Sequence, residues 1–458
     1  MADTLAIVEP GSAERGRRAR KRVGRRTLGV WESPADRGDP IAVLERQAAT
    51  RVPELVPIRY ARMAAGQFPF LRGAPAIMAA DLAASPNSGL TVQLCGDAHL
   101  SNFGLFASPE RTLVFDLNDF DETLPGPFEW DVKRLAASIA VAARSNGYPD
   151  AEAEVAVAGA GAAYREAMNQ LAGLGELEVW YEKVDADQMI APIQKPKRRK
   201  NVERTIADAR AHTHLHALAK LTEPDADGVP RIRHRPPLLI PIEQFPTGQI
   251  DSEVIQQAFA DYRGTLPEER RVLIDRYELV DWAVKVVGVG SVGTRCFIAL
   301  LAGRPSGSPL FLQMKQAEHS VLAPHTAASR FRNQGHRVVH GQRLIQATSD
   351  IFLGWGTGAD GLHYYWRQLR DMKGGVVIEE MSRSYLRAYA ALCGHTLARA
   401  HARSGDRVAI AAYLGTSDTF DRAMADFAIA YADQTAADYE TLLAAIESGR
   451  VVAAAKAY

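Results

Sequence analysis

The sequence predicts an α+β protein of two lobes, one large and helical, the other small and β-rich. Three observations carry that prediction. Apolar residues recur at helical spacing through much of 41–250 and again over 376–458. Between them, residues 251–375 hold β-branched and aromatic runs separated by Gly- and Pro-containing turns, as in an antiparallel sheet. Each part also contains one stretch dense in chemical groups, Leu94–Arg134 in the first and Tyr277–Lys315 in the second. Residues 1–40 lack periodicity and read as a disordered basic tail.

At 458 residues the chain suits one two-lobed molecule or two to three domains, and it can bury a large core. A hydrophobic content of 47% against 24% charged residues excludes a mostly disordered chain. The formal net charge is 0, so no whole-molecule field draws the chain to nucleic acid or a membrane surface. Cys95, Cys296 and Cys393 are too far apart for a disulfide framework or a zinc pattern and suit a reducing cytoplasm. With no apolar run long enough to span a bilayer and no signal-peptide core, a soluble cytoplasmic protein is expected.

Taken in order, the elements begin with the tail. Arg15 to Arg26 contains eight basic residues without interleaved aromatics, a composition that favours a solvated, mobile arm over a nucleic-acid grip. From Asp39 to Ala83 the pattern is helical, broken at Pro53, Pro57 and Pro69. The compact apolar run from Phe68 ends on Arg72. Its planar fork suits a phosphate or a structural carboxylate, and the sequence leaves both open.

Then comes the acidic stretch. A strand-like run, Thr91–Leu94, leads into Cys95-Gly96-Asp97-Ala98-His99-Leu100-Ser101-Asn102. A hairpin follows, turning at Ser108-Pro109-Glu110, and delivers Asp116, Asp119, Asp121 and Glu122, with Asp131 at the head of the next helix. Phosphoryl transfer needs a carboxylate to orient or deprotonate a hydroxyl, and oxygen ligands from an Asn and a second Asp for magnesium. Asp97 and Asn102 stand five apart, the interval between base and metal ligand in kinase catalytic loops.

The remaining helical half follows. Val132–Ala143 and Ala151–Leu171 read as packed helices, and Val202–Leu221 as a helix opened by the basic run Lys195–Lys200. His212, His214 and His216 alternate, which puts them on different helix faces and argues against a metal site. Glu223–Gly248 is Pro-rich and reads as a long connection with a boundary near it.

The second cluster is strand-like Tyr277–Val287, then Gly288-Val289-Gly290-Ser291-Val292-Gly293, a second strand-like run, a turn at 303–307, and a third run ending on Lys315. A lone G-x-G-x-x-G is weak, and the element after it discriminates. Dinucleotide binding requires a helix there, whereas a kinase requires strand, glycine loop, strand, turn and a strand with a terminal lysine. The sequence has the second order, so Gly288, Gly290, Ser291 and Gly293 would cradle phosphates and Lys315 would hold them. Arg337–Ser349 reads as a helix, Ile351–Trp355 and Leu362–Arg367 as two further strands, and Arg370–Gly375 as a hinge candidate. The helix has no Glu to pair with Lys315, and Glu318 is only three residues from it. Tyr385–Ala402 is an amphipathic helix ending in His401, and 409–458 reads as further helices.

Several of these motifs resemble known families. Cys95-Gly96-Asp97 through Asn102 is similar to the His-Gly-Asp-x-His-x-x-Asn motif of aminoglycoside and choline kinases, with Cys95 in place of the first His. Those families carry a helix-head Asp about twelve residues past the metal-binding Asp; Asp131 is twelve past Asp119, which favours Asp119 over Asp116 as the ligand. The helix ending Leu397-Ala-Arg-Ala-His401-Ala402 resembles the one those kinases place just before the catalytic loop. The segments Phe70–Gly73, Phe115–Thr123, Phe128–Asp131, Gly341–Arg343 and Ala400–Asp406 together resemble a bacterial family designated domain of unknown function 2252. The resemblances imply a two-lobed protein-kinase-like fold in circularly permuted order, with the catalytic loop ahead of the glycine loop. They imply ATP and Mg2+ as cofactors, Asp97 as base with His99 beside it, and Asn102, Asp119 and Asp121 as metal ligands. The acceptor would be a small-molecule hydroxyl, or alternatively a protein. AMP transfer, a nucleotide-binding pseudokinase and a dinucleotide-binding oxidoreductase are the rival readings.

Overall fold

The computed structural model describes residues 8–187, 189, 196–211, 214–242, 252–304, 307–369, 372 and 374–456. Its first helix, α1 (Ser12–Arg22), lies where a mobile tail was expected. Three of the basic residues there bond within the molecule: Arg15 pairs with Asp406, and Arg22 and Arg25 donate to the carbonyls of Ser88 and Leu414. Gly16 permits the docking, because a Cβ there would lie 2.0 Å from the Ala409 carbonyl oxygen. Leu28 is fully buried, and Arg37 bridges Asp81 (2.8 Å) and Asp438 (2.7 Å). A count of charges along the chain could not reveal these distant acceptors.

Four helices follow, α2 (Pro40–Ala48), α3 (Val56–Met63), α4 (Gln67–Gly73) and one more over Pro75–Ala83. Pro40 and Pro57 sit in first turns, where the missing N–H costs nothing. Next comes the arrangement that positions the acidic stretch. Strand β1 (Thr91–Leu94) enters it, β2 (Phe103–Ala107) and β3 (Leu113–Leu117) form the hairpin, and β4 (Leu124–Pro127) leaves it. β1 pairs with β4 and β2 with β3, both antiparallel. The loops 95–102 and 118–123 are therefore the two connections between one pair of ladders, and they must run side by side. A hydrogen bond from Asn118 N–H to the Asn102 carbonyl (2.8 Å) joins them.

Behind these loops lies a helical core. α5 (Phe128–Ser145) is buried over nearly its whole length, and α6 (Asp150–Leu171) packs on it. The described part of the expected long connection instead forms a small hairpin, Thr222–Pro224 with Pro230–Ile232, and an edge strand, β5 (Leu239–Pro241). The expected boundary near 250 and His212 fall outside the described residues. The expected helix Val202–Leu221 is two, Pro196–Ala211 and His214–Leu221.

The second lobe is built on one antiparallel sheet, preceded by helices Ser252–Thr265 and Glu268–Ile274 that pack on it. β6 (Tyr277–Lys285), β7 (Cys296–Gly303) and β8 (Pro309–Gln316) are followed by helix α7 (Gln334–Ile345), then β9 (Gly354–Thr357) and β10 (His363–Gln368). The order across the sheet is β9-β10-β8-β7-β6-β5. Its core is distinct from the helical one, with Trp366 stacked on Tyr262 at 4.9 Å. Of the hinge candidate, Gly374 exchanges two 2.9 Å backbone hydrogen bonds with Leu105. The chain then returns to the helical lobe as α8 (Arg383–Ala402) and α9 (Thr419–Glu447). Gly394 of α8 faces Ala160 of α6 so closely that a Cβ would lie 2.3 Å from the Ala160 carbonyl oxygen. Among the described residues no helix is long and apolar enough to cross a membrane.

Candidate active site

The two acidic loops and the glycine loop enclose one cavity. Asp97, His99, Asn102, Asp119, Asp121 and Glu122 line it from the helical lobe, and Gly288, Gly290 and Ser291 from the sheet. Gly293 does not line it. Its φ is +94°, and a Cβ would meet the Arg51 side chain at 3.0 Å, so this glycine shapes the loop against its support. After the glycines the chain enters β7, with no helix, so the requirement of the dinucleotide reading is not met.

Asp97 accepts from Arg134 Nε at 2.8 Å, and Arg134 also donates to the Leu71 carbonyl at 2.7 Å. Burial raises the Asp97 pKa to about 6 against the opposing pull of Arg134, a range suited to a base near neutrality. His99 Nε2 lies 3.6 Å from Asp97. Burial, Arg72 and Arg134 hold the His99 pKa well below its ordinary value, so its imidazole is neutral. Asn102 donates through Nδ2 to the Asp97 carbonyl (2.8 Å), which leaves Oδ1 available as a ligand.

The two aspartates of the second loop differ in role. Asp121 has both oxygens engaged, one by Lys315 and the other by the Tyr365 hydroxyl at 2.7 Å. Burial opposes both charges, yet Lys315 holds the Asp121 pKa down, and Asp119 and Asp121 together hold the Lys315 pKa up. Asp119 stands 4.0 Å from Lys315 and faces the cavity. Asp119 and Asn102 both line the cavity and carry hard oxygen donors of the kind magnesium takes. Among the described residues no cluster of three or more His, Cys, Asp or Glu side chains could hold a metal alone.

The partner of Lys315, open at the level of sequence, is thus Asp121. In the position where an acidic helix residue was sought, α7 carries Arg337, which donates to the carbonyls of Thr123 (2.7 Å), Asp121 (2.8 Å) and Glu318 (2.9 Å). Asp131 closes the 95–102 loop from behind. It accepts from Cys95 N–H (2.8 Å) and Gly96 N–H (3.0 Å), and His401 of α8 contacts it at 3.2 Å.

A family model described as an uncharacterized protein conserved in bacteria (DUF2252) matches residues 51–445. The chain belongs to the DUF2252 family. No curated protein and no solved structure matches it. In this DUF2252 chain a second, larger cleft of about 660 Å³ adjoins the cavity. Lys315, Lys285, Arg367, Gln313 and Leu369 line it from the sheet lobe and the hairpin tip Phe106–Pro109 from the other. Asp119, Gly288 and Ser291 line both spaces and mark the boundary between them. Four site residues carry no motif: Arg51 and Arg59 on the N-terminal helical segment, Tyr365 on β10 and Arg134 on α5. Only Arg134 left a signal, three residues past Asp131 on the same helix.

Proposed function

We propose that this DUF2252 protein is an ATP-dependent phosphotransferase acting on a small-molecule hydroxyl, with a protein-kinase-like, circularly permuted fold. One observation carries the reading: Asp97, Asn102, Asp119 and the Lys315–Asp121 pair, drawn from both lobes, meet where a cleft and a cavity join. The run of strand, glycine loop, two strands with a terminal lysine, helix and two strands supports it. So does His401 of α8, which bonds to the aspartate that fastens the catalytic loop, as a permuted chain requires.

In this reading the nucleotide lies in the cleft and the acceptor hydroxyl in the cavity. Asp97, aimed by Arg134, orients the hydroxyl and takes its proton. Lys315 balances phosphate charge, its ammonium group fixed by Asp121, which the Tyr365 hydroxyl holds in turn. Asn102 and Asp119 would hold magnesium, which supplies charge neutralisation for the phosphates.

The test is calorimetric titration with Mg·ATP, followed by mass spectrometry of a metabolite pool incubated with protein and ATP. Wild type binds Mg·ATP and adds a phosphate mass. Asp97→Asn keeps nucleotide affinity and loses turnover by about 10²–10⁴-fold, whereas Lys315→Ala and Asp119→Ala lose nucleotide or metal affinity. Added AMP mass would move the reading to nucleotidyl transfer. Binding without turnover would make this a pseudokinase, and NADH binding in place of ATP would end the proposal.

A further inference from the structure

Three guanidinium groups on the same cavity have no part in that mechanism. Arg51, Arg59 and Arg72 line the cavity that Asp97 also lines, and none of them lines the cleft. Arg59 is fully buried: Nη2 donates to Gln47 Oε1 (2.8 Å) and the Gly73 carbonyl (2.9 Å), while Nε and Nη1 have no partner. Arg51, 8% exposed, donates to the Val292 carbonyl and has an unpartnered Nε. Arg72 also has an unpartnered Nε. None of the three forms an ion pair among the described residues, whereas the buried Arg134, Arg165 and Arg399 each have a carboxylate at 2.6–3.0 Å.

Of the carboxylates on the cavity, Asp119 forms no ion pair with these arginines, and the other four accept elsewhere. Asp97 accepts from Arg134, Asp121 from Lys315, Glu122 from Val321 N–H (2.7 Å) and Glu318 from Thr50 (2.6 Å). Burial opposes the charge on all three arginines, yet a guanidinium does not deprotonate in proteins. A buried cation without a directly paired anion costs several kcal/mol. Three of them around one space, with donors to spare, call for an anion from outside.

We propose that the acceptor carries a phosphate monoester, which Arg51, Arg59 and Arg72 seat while Asp97 faces its hydroxyl. A phosphate dianion offers three oxygens and the charge to match several guanidinium forks, which one carboxylate does not. The word acceptor rests on the phosphotransferase reading above; the anion seat rests only on the arginines.

The probe is inorganic phosphate, titrated calorimetrically into the full-length protein with and without saturating Mg·ADP. Wild type binds phosphate in both cases. Arg72→Gln weakens phosphate by about tenfold or more and leaves Mg·ADP affinity within about twofold, since Arg72 does not line the cleft. If that variant does not fold, Arg72→Lys serves: it keeps the charge, loses the fork and weakens phosphate by about threefold or more. Unchanged phosphate binding in the folded variant overturns the seat. Acetate binding as tightly as phosphate overturns the phosphate assignment. Displacement of phosphate by a non-hydrolysable Mg·ATP analogue, but not by Mg·ADP, overturns the acceptor assignment, because the arginines would then hold the γ-phosphate. Phosphate binding without any Mg·ADP binding sinks the phosphotransferase reading and leaves the seat standing.

Discussion

Asp116 and Asp119 stand three residues apart in one acidic stretch and do different work. Asp116 is fully buried between Arg399 (2.6 Å) and the Ala347 N–H (2.7 Å), so it joins α8 to the end of α7. Asp119 faces the cavity. Asp116→Ala should therefore cost about 3–5 kcal/mol by urea unfolding, because Arg399 is left buried and unpaired. Asp119→Ala should cost less than about 1 kcal/mol and show itself in Mg·ATP binding instead. Lys133 gives a pH-dependent prediction. Burial lowers its pKa to about 8, and its ammonium sits 4.4 Å from the Phe427 ring centre. Between that value and the ordinary 10.5 the unfolded chain holds a proton that the folded chain has shed, so stability should rise with pH across this window. The rise is up to about 3 kcal/mol. Urea titrations at pH 7.5 and 10 should find this slope in wild type and not in Lys133→Met; equal slopes would refute the assignment.

At the scale of elements, the site depends on two ladders sharing a pair of loops and on one clamp behind them. Asp131 at the head of α5 takes the Cys95 and Gly96 amides, and His401 of α8 is held in turn by the Tyr164 hydroxyl (2.8 Å). Asp131→Ala leaves the buried Cys95 amide and the half-buried Gly96 amide without an acceptor and should cost about 2–4 kcal/mol. Hydrogen exchange of Cys95 and Gly96 should speed more than that of β3. The N-terminal helix makes the opposite point about charge patterns. Deleting residues 1–39 should lower the melting temperature, because it uncovers the site of Leu28 and leaves Asp81 and Asp438 without Arg37. A truncation that melted like the full chain would restore the mobile-tail reading.

For the whole molecule, the seam between lobes is the deciding feature. Arg337 bonds across it to Thr123 and Asp121, Gln346 to the Leu117 carbonyl (2.8 Å), and Lys315 to Asp121. These polar contacts add to an apolar seam, in which Val338, Val339, Ile345 and Tyr365 of the sheet lobe pack into the helical core. Wild type should unfold in one transition, and Arg337→Ala should broaden or split it in calorimetry, with the sheet lobe melting first.

Local sequence by itself determined the elements and much of the site list. Helical periodicity marked α5, α6 and α8, the hairpin between Gly104 and Phe115 was legible from its turn, and Lys315 was legible from its place at the end of a strand after glycines. These features act over a few residues, where the preferences of side chain and backbone are strong. Tertiary structure alone decided that Lys315 pairs with Asp121, that Arg337 replaces an acidic partner, that the basic segment folds, and that three unpaired arginines share the cavity. Each depends on groups far apart in the chain, and electrostatic pairing follows distance in space, which no short pattern records.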